Sequence, residues 1–489
     1  MKNYPFQLSK EDLLQLDTAL TYDDVTLEPQ FSEIRSRKDV DLSTKLTKNI
    51  YLKVPIVAAN MNSVTEAPMA IAMARQGGIG IIHRYKSIED TIKEIEKVKR
   101  WRTHVIEDPY TISRNATIEE ADELMKKYNV SGLLVTNGRQ LLGILTSRDM
   151  KAAESWESKL VEEVMTPYAS MKTALVGISQ EEAKKLLYRG RIEKLPIVDK
   201  DGNLYGLVTV KDIRKIEEYR NAALDSKGRL LVGAATGTDD DYLERADALV
   251  EAGVDVLVVD IAQGHAKHAI NTVEILKSRY NPKVDIIAGN VATEDGVRRL
   301  IEAGADCVKV GIGGGSVCTT REVTGAGVPQ LTAIVRCVIE AEKYGIPILA
   351  DGGIRKSGDI CKAIVGGAYT VMLGNMLAGT DEAPGKITTK KGRRVKAYMG
   401  MASEEANLQR TDKKRTDDDL TDYSPEGVEK YVAYKGPVEP LIKKMLGGLR
   451  SGASYVNARN IEEYRKDHIF VRGTSAAMKE ATPHAEGED

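Results

Sequence analysis

Short apolar runs recur along the chain, each closed by glycine, aspartate or asparagine or a nearby polar residue, with helical stretches between them. Val54–Ala59 ends at Asn60-Met61 and Gly78–Ile82 ends at His83. Between them Ala67–Ala74 has helical composition, so a strand, helix, strand order begins here. The unit resumes beyond residue 228. Leu230–Ala235, Val254–Asp260, Val284–Asn290, Ala305–Gly311, Ile346–Asp351 and Tyr369–Asn375 are short and rich in Val, Ile, Leu and Ala, with helical segments such as Asp240–Ala252 and Glu294–Ala303 separating them. Together with the first two they make eight candidate strands, the number that closes a parallel (β/α)8, or TIM, barrel. In such barrels the chemistry sits at the C-terminal strand ends. The pattern places Asn60, His83, Asp260, Asn290, Gly311, Asp351 and Asn375 there.

The barrel pattern is interrupted over residues 103–220 by an internal repeat. Gly143-Ile144-Leu145-Thr146-Ser147-Arg148-Asp149 returns as Gly206-Leu207-Val208-Thr209-Val210-Lys211-Asp212, each preceded by a helix and a strand. The repeat resembles a tandem pair of CBS domains, with copies over about 103–155 and 159–218. That resemblance implies an adenine or guanine nucleotide site, in which Asp149 and Asp212 accept from ribose hydroxyls and Thr146 and Thr209 donate to phosphate. The alternative is that the two copies pack together and bind nothing. The barrel then comprises 1–102 and 221–489.

Composition narrows the partners. With 42% hydrophobic and 29% charged residues and a net charge of −2, the chain gives no reason to expect nucleic acid or an anionic membrane surface. Glycine at 42 residues and aromatics at 5% suit a loop-rich α/β enzyme. Cys307, Cys318, Cys337 and Cys361 show no metal-ligand spacing, and the N-terminus lacks a hydrophobic signal core, so a reduced cytoplasmic setting is expected. No apolar stretch reaches the roughly 18–20 residues of a membrane span.

The candidate chemistry centres on Gly311–Arg321, GIGGGSVCTTR, directly after the apolar run Cys307–Val310. Glycines let backbone amides approach an anion, or turn carbonyls onto a cation, because no Cβ blocks them. A thiol held on such a loop is a candidate nucleophile. The bland alternative for Cys318 is one more small buried residue.

The chain resembles the inosine monophosphate dehydrogenase and guanosine monophosphate reductase family nearly end to end. The resemblance rests on Leu20-Thr21-Tyr22-Asp23-Asp24-Val25, on Gly77–His83, on GIGGGSVCTTR, on Ala350-Asp351-Gly352-Gly353-Ile354 and on Met372-Leu373-Gly374-Asn375-Met376. It implies that Cys318 adds to C2 of a purine nucleotide, GMP or IMP, and that Asp351 accepts from the ribose hydroxyls. It further implies that Ser316, Gly353, Gly374, Asn375 and Tyr398 cradle the 5′-phosphate, with Met401 and Glu426 beside the base. Asp260, Asn290 and Gly311 would line the nicotinamide side. Carbonyls of Gly313, Gly315 and Cys318 match a potassium site, and the assembly would be a homotetramer or octamer.

The resemblance also bears on direction. Dehydrogenases of this family activate water with an arginine followed by tyrosine on a mobile flap, here about 385–435. In this chain Arg410 is followed by Thr411, so the pair is incomplete. Reductases instead protonate a leaving ammonia, and Thr320 with Glu404, after Gly400-Met401-Ala402-Ser403, matches that pattern. The expectation is an NADPH-dependent GMP reductase. The alternatives are an NAD-dependent IMP dehydrogenase, favoured by the insertion and by Pro425–Glu429, and a non-catalytic nucleotide sensor, against which Cys318, Thr320 and Asp351 argue.

Overall fold

The structure is a computed structural model that describes residues 7–101, 105–153, 159–239, 241–412, 424–466 and 468–481. The chain forms two compact units, one of Met1–Trp101, Asn221–Asp225 and Leu230–Asp489, the other of Arg102–Arg220 with Ser226–Arg229. Residues 102–104 and 154–158, where the expected start of the insertion and the junction of its copies fall, lie outside the described residues.

In the larger unit eight parallel strands close into a barrel: β1 (Ile56–Ala58), β2 (Ile79–Ile82), β3 (Gly233–Thr236), β4 (Val256–Asp260), β5 (Asp285–Val291), β6 (Cys307–Val310), β7 (Ile348–Asp351) and β8 (Thr370–Leu373). Each expected run supplies one of them. Most are trimmed at their ends, where the residues pair with loops instead of neighbouring strands. Before β3, for example, the Leu231 amide donates to Ala223 O at 3.0 Å and the Val232 amide to the Asp255 carboxylate at 2.7 Å. Helices Ala67–Arg75, Tyr242–Glu251 and Glu294–Glu302 fall within about two residues of their expected bounds.

Strand alternation fills the barrel. Val57, Ile79, Ile81, Val256, Val258, Ile287, Cys307 and Leu349 belong to one buried apolar cluster. Side chains two apart on a strand share a face, so Lys309 points inward like Cys307. Parallel pairing then sets the upper rim: Asp260 lies opposite Gly289, and Asp351 opposite Met372. Between β5 and β6 the register slips at Gly289/Val291, which leaves Asn290 out of the ladder. Such irregularities re-aim a side chain.

The segment expected as a flap contains ordered structure. β9 (Thr388–Lys390), β10 (Arg393–Met399) and β11 (Glu429–Ala433) form an antiparallel sheet, with β10 paired to β11 from Val395↔Ala433 to Met399↔Glu429. A short helix, Glu404–Leu408, follows β10. Residues 413–423 lie outside the described residues.

In the smaller unit each copy of the repeat has a helix, two antiparallel strands and a second helix. In the first copy these are Ile118–Tyr128, Gly132–Asn137, Gln140–Thr146 and Ser147–Ala152; in the second, Gln180–Gly190, Lys194–Val198, Leu204–Thr209 and Val210–Glu218. The repeated Thr-x-x-Asp has a local role. Thr146 and Thr209 are N-caps, and their hydroxyls donate to Asp149 at 2.6 Å and Asp212 at 2.5 Å. That pairing satisfies groups at the helix start. Among the described residues no helix is long and apolar enough to cross a membrane.

Candidate active site

A cavity of about 540 Å³ opens at the C-terminal rim of the barrel. Its lining includes Asp260, Asn290, Lys309 and Asp351, the Gly311–Cys318 loop, and Gly353, Gly374, Asn375, Tyr398, Met401 and Glu426. Most of the expected site residues therefore meet in one place. His83 is buried but does not line it; its ring accepts from the Tyr85 amide at 3.2 Å.

The floor is built around Lys309, only 2% exposed. Its ammonium donates to Asp260 at 2.8 Å, to Asp351 at 3.0 Å and to the Asn290 side-chain oxygen. The Asn290 amide donates to Gly311 O at 2.7 Å and to Asp351 at 2.9 Å. Burial works against charge on both Asp260 and Lys309, but their attraction outweighs it: the Asp260 carboxyl is held below the usual range and the lysine above its own. Sequence reading missed Lys309. The available signal was a lysine between valines on a barrel strand, at the inward position set by Cys307.

Gln330, also missed, ties two rim loops together. Its amide donates to Val310 O at 2.9 Å and Asp351 O at 3.0 Å. Gly311 accepts this crowding because it lacks a side chain: its φ is +146°, and a Cβ there would lie 2.0 Å from the Asp351 carbonyl oxygen.

Above this floor sits the thiol. Cys318 Sγ is 3.1 Å from Thr320 Oγ1, which donates to Glu426 Oε2 at 2.8 Å. A threonine hydroxyl has one proton and two lone pairs. With its proton on the carboxylate, it accepts from the S–H, giving a continuous path from thiol to carboxylate. The Cys318 loop is tied to the same segment by the Thr319 amide on Glu426 O at 2.9 Å and the Val428 amide on Val317 O at 3.0 Å.

Beside the thiol, Asn375 Nδ2 donates to Ser316 Oγ at 3.0 Å, and Ser316 Oγ donates to the Tyr398 phenol oxygen at 3.4 Å. Tyr398 is 3% exposed, and burial pushes its phenol up to about 12, so it keeps its proton at neutral pH. Gly374 lies under that phenol; a Cβ there would come within 2.9 Å of the oxygen. These hydroxyls and the carboxamide suit an anion held without a metal.

Two expected catalytic residues are not brought into the site. Glu404 is exposed in the first turn of its helix and does not line the cavity. Glu426 stands where Glu404 was expected, because pairing of β10 with β11 carries the chain after residue 424 back across Cys318. Arg410 also lies outside the lining. It makes a two-pronged pair with Asp412 at 2.9 and 2.7 Å and stacks over Tyr85 at 4.4 Å. Burial opposes its charge, but Asp412 outweighs this and raises its pKa. Thr411 is pinned too, its amide donating to Tyr85 O at 3.1 Å and its hydroxyl accepting from the Ser87 amide at 3.1 Å. At the expected potassium site the Gly315 carbonyl accepts from the Cys318 amide at 3.2 Å, and Arg321 binds the nearby carbonyls of Ile312 and Val328.

Residues 19–484 match the IMP dehydrogenase / GMP reductase domain family. This chain belongs to that family. It is 48% identical to the inosine-5′-monophosphate dehydrogenase of Nitrosopumilus maritimus (strain SCM1), over 96% of this chain and 99% of that one. It is 48% identical to the GMP reductase of Leishmania donovani, over 96% of this chain and 97% of the other. A crystal structure of Trypanosoma brucei GMP reductase C318A in complex with guanosine 5′-monophosphate superposes with a TM-score of 0.90 at 49% identity, covering 96% of this chain and 99% of that one. The protein is an NAD(P)-dependent oxidoreductase of purine nucleotide metabolism.

Within a family oxidoreductase the buried lysine has a measurable role. Lys309→Met should destabilise the protein by roughly 3–5 kcal/mol at neutral pH, because two carboxylates lose their counter-ion. Asp260 is held low only in the folded wild type, so its contribution is present above the ordinary aspartate range and is lost as pH falls through its depressed value. The gap between wild type and variant should therefore narrow on acidification. Urea unfolding followed from pH 7 down to about pH 2.5, below the ordinary aspartate value of about 3.9, measures it; a gap that stays constant over that range would overturn the ion-pair account.

Proposed function

We propose that the protein is a GMP reductase, converting GMP and NADPH to IMP, ammonia and NADP. The observation that carries this reading is Arg410 engaged with Asp412, because the thiol–threonine–carboxylate path, which ends in the Pro425–Glu429 segment, can serve either direction. A relay that can move a proton to an amine is present at the thiol. The arginine expected to activate water is paired with a carboxylate and followed by threonine.

Cys318 Sγ forms a bond to C2 of the guanine ring while its proton passes through Thr320 to Glu426. The proton returns by the same path to the 2-amino group, the C–N bond breaks and ammonia departs, restoring the ring double bond. The nicotinamide cofactor, when bound, supplies a hydride to C2. The C–S bond then breaks, its electron pair stays on sulfur, and IMP is released. Asp260 and Asn290 line the nicotinamide side, while Asp351, oriented by Lys309 and Asn290, takes the ribose hydroxyls. Ser316, Gly353, Gly374, Asn375 and Tyr398 hold the phosphate, and Met401 flanks the base. Potassium belongs to this reading only as an ion on the carbonyls of Gly313, Gly315 and Cys318. The GMP named with the Trypanosoma brucei structure supports the choice of substrate.

The second reading is IMP dehydrogenase, which the equally similar Nitrosopumilus maritimus relative favours. Purified protein offered GMP with NADPH, and separately IMP with NAD, separates the two by nicotinamide absorbance. Loss of absorbance with GMP is expected. A gain with IMP and NAD at ordinary enzyme rates, with GMP inert, would show the reductase reading to be wrong.

The reading includes a cytoplasmic homotetramer or octamer, and an adenine or guanine nucleotide at Thr146, Asp149, Thr209 and Asp212. Such a ligand should raise the melting temperature by linkage, with the shift lost in a variant lacking residues 103–220. Equal shifts in both would place the nucleotide in the barrel. GMP turnover should survive the deletion, since every catalytic residue lies outside it.

A further inference from the structure

Every basic side chain lining the cavity is already engaged. Arg84 pairs with Asp239 at 3.0 Å, Lys309 with Asp260 and Asp351, Arg355 with Asp23, and Arg321 with two carbonyls. Among the described residues no lysine or arginine is hydrogen-bonded to the side chains of Ser316, Asn375 or Tyr398, the end proposed for the phosphate. Just behind it lies Lys435. Its ammonium donates to Asn375 O at 2.7 Å and Met376 O at 3.1 Å, and among the described residues no carboxylate pairs with it.

Those two carbonyls lead back to the cavity. The peptide whose carbonyl is Asn375 O carries the Met376 N–H. The peptide whose carbonyl is Met376 O carries the Leu377 N–H, which donates to Gly374 O at 3.0 Å; that third peptide carries the Asn375 N–H. Among the described residues the Asn375 and Met376 N–H groups have no partner, and Gly374 and Asn375 line the cavity. Hydrogen-bonded peptides polarise one another, so an ammonium on the carbonyl side makes both free N–H groups stronger donors toward an anion.

We propose that Lys435 is the charge complement of the nucleotide's 5′-phosphate, a positioning residue that acts through the Gly374–Leu377 turn and touches no substrate atom. This rests on the purine-monophosphate reading of the site. It assigns to Lys435 selectivity for a phosphorylated ligand over the bare nucleoside, which a merely structural role would not produce.

The test is calorimetric binding of GMP and of guanosine to the full chain without cofactor, in wild type, Lys435→Gln and Lys435→Arg. Lys435 is exposed as a residue, although burial around its ammonium pushes it down to about 8, which still leaves it mostly charged at neutral pH; both variants should fold, and circular dichroism checks it. Lys435→Gln should weaken GMP about ten-fold, the scale of a charge-assisted hydrogen bond, while guanosine changes less than about two-fold. Lys435→Arg should recover most of the GMP affinity. If Lys435→Gln binds GMP as wild type does, or loses GMP and guanosine equally, the proposal is wrong. Failure of wild type to bind GMP would instead remove the functional reading on which it rests.

Discussion

Cys318→Ala should lower turnover by roughly 10⁴-fold or more while GMP still binds. The substitution removes the sulfur proposed to form the bond to C2. The groups proposed to hold the ligand, Asp351 at the ribose and Ser316, Asn375 and Tyr398 at the phosphate, are fixed by other contacts: Asp351 by Lys309 and Asn290, Ser316 by Asn375. Loop geometry should persist as well, because its ties to the 426–428 segment run through backbone amides. Steady-state rates with calorimetric GMP binding measure both halves. Ordinary turnover by this variant would eliminate covalent chemistry at C2, whichever direction the enzyme runs.

Glu426→Gln should slow GMP deamination by about 100-fold to 10,000-fold, the usual worth of a positioned proton donor. Glutamine keeps the size and can still accept from Thr320, so the 2.8 Å contact is retained and only the ability to take and return a proton is lost. Glu404→Gln, on an exposed turn, should change the rate by no more than about two-fold. Single-turnover release of ammonia reads the step directly, and GMP affinity separates lost chemistry from lost binding. A harmless Glu426→Gln with a crippled Glu404→Gln would restore the carboxylate first expected from the sequence and would require the segment after β10 to rearrange on binding. Thr320→Val, which breaks the path at its middle, should match Glu426→Gln in size, and the double variant should cost little more than either alone because the two act as one unit.

The sequence by itself determined the barrel and most of the residues on its rim. Eight apolar runs with polar endings announced eight strands, because a strand buried on both faces must be apolar throughout while the loop after it need not be. The thiol was legible because its loop needs glycine where backbones nearly touch, as Gly311 does against Asp351. Cys318 follows from that local pattern and Asp351 from its place at a strand end, whereas Thr320 is singled out only by the family resemblance.

What only the tertiary structure decided is which distant groups meet them. Glu404 and Glu426 are both carboxylates near a glycine, and nothing local ranks one over the other. Antiparallel pairing of β10 with β11 brings the 426 segment over the cysteine and leaves Glu404 facing water. Arg410 and Thr411 carry no sign in the sequence that Asp412 and the Tyr85–Ser87 loop will hold them. Lys309 shows the converse: its inward direction follows from strand alternation, but a buried ammonium is stable only if carboxylates stand close by. That Asp260 and Asp351 do so is a consequence of barrel closure and register, which bring the ends of β4, β6 and β7 around a common floor.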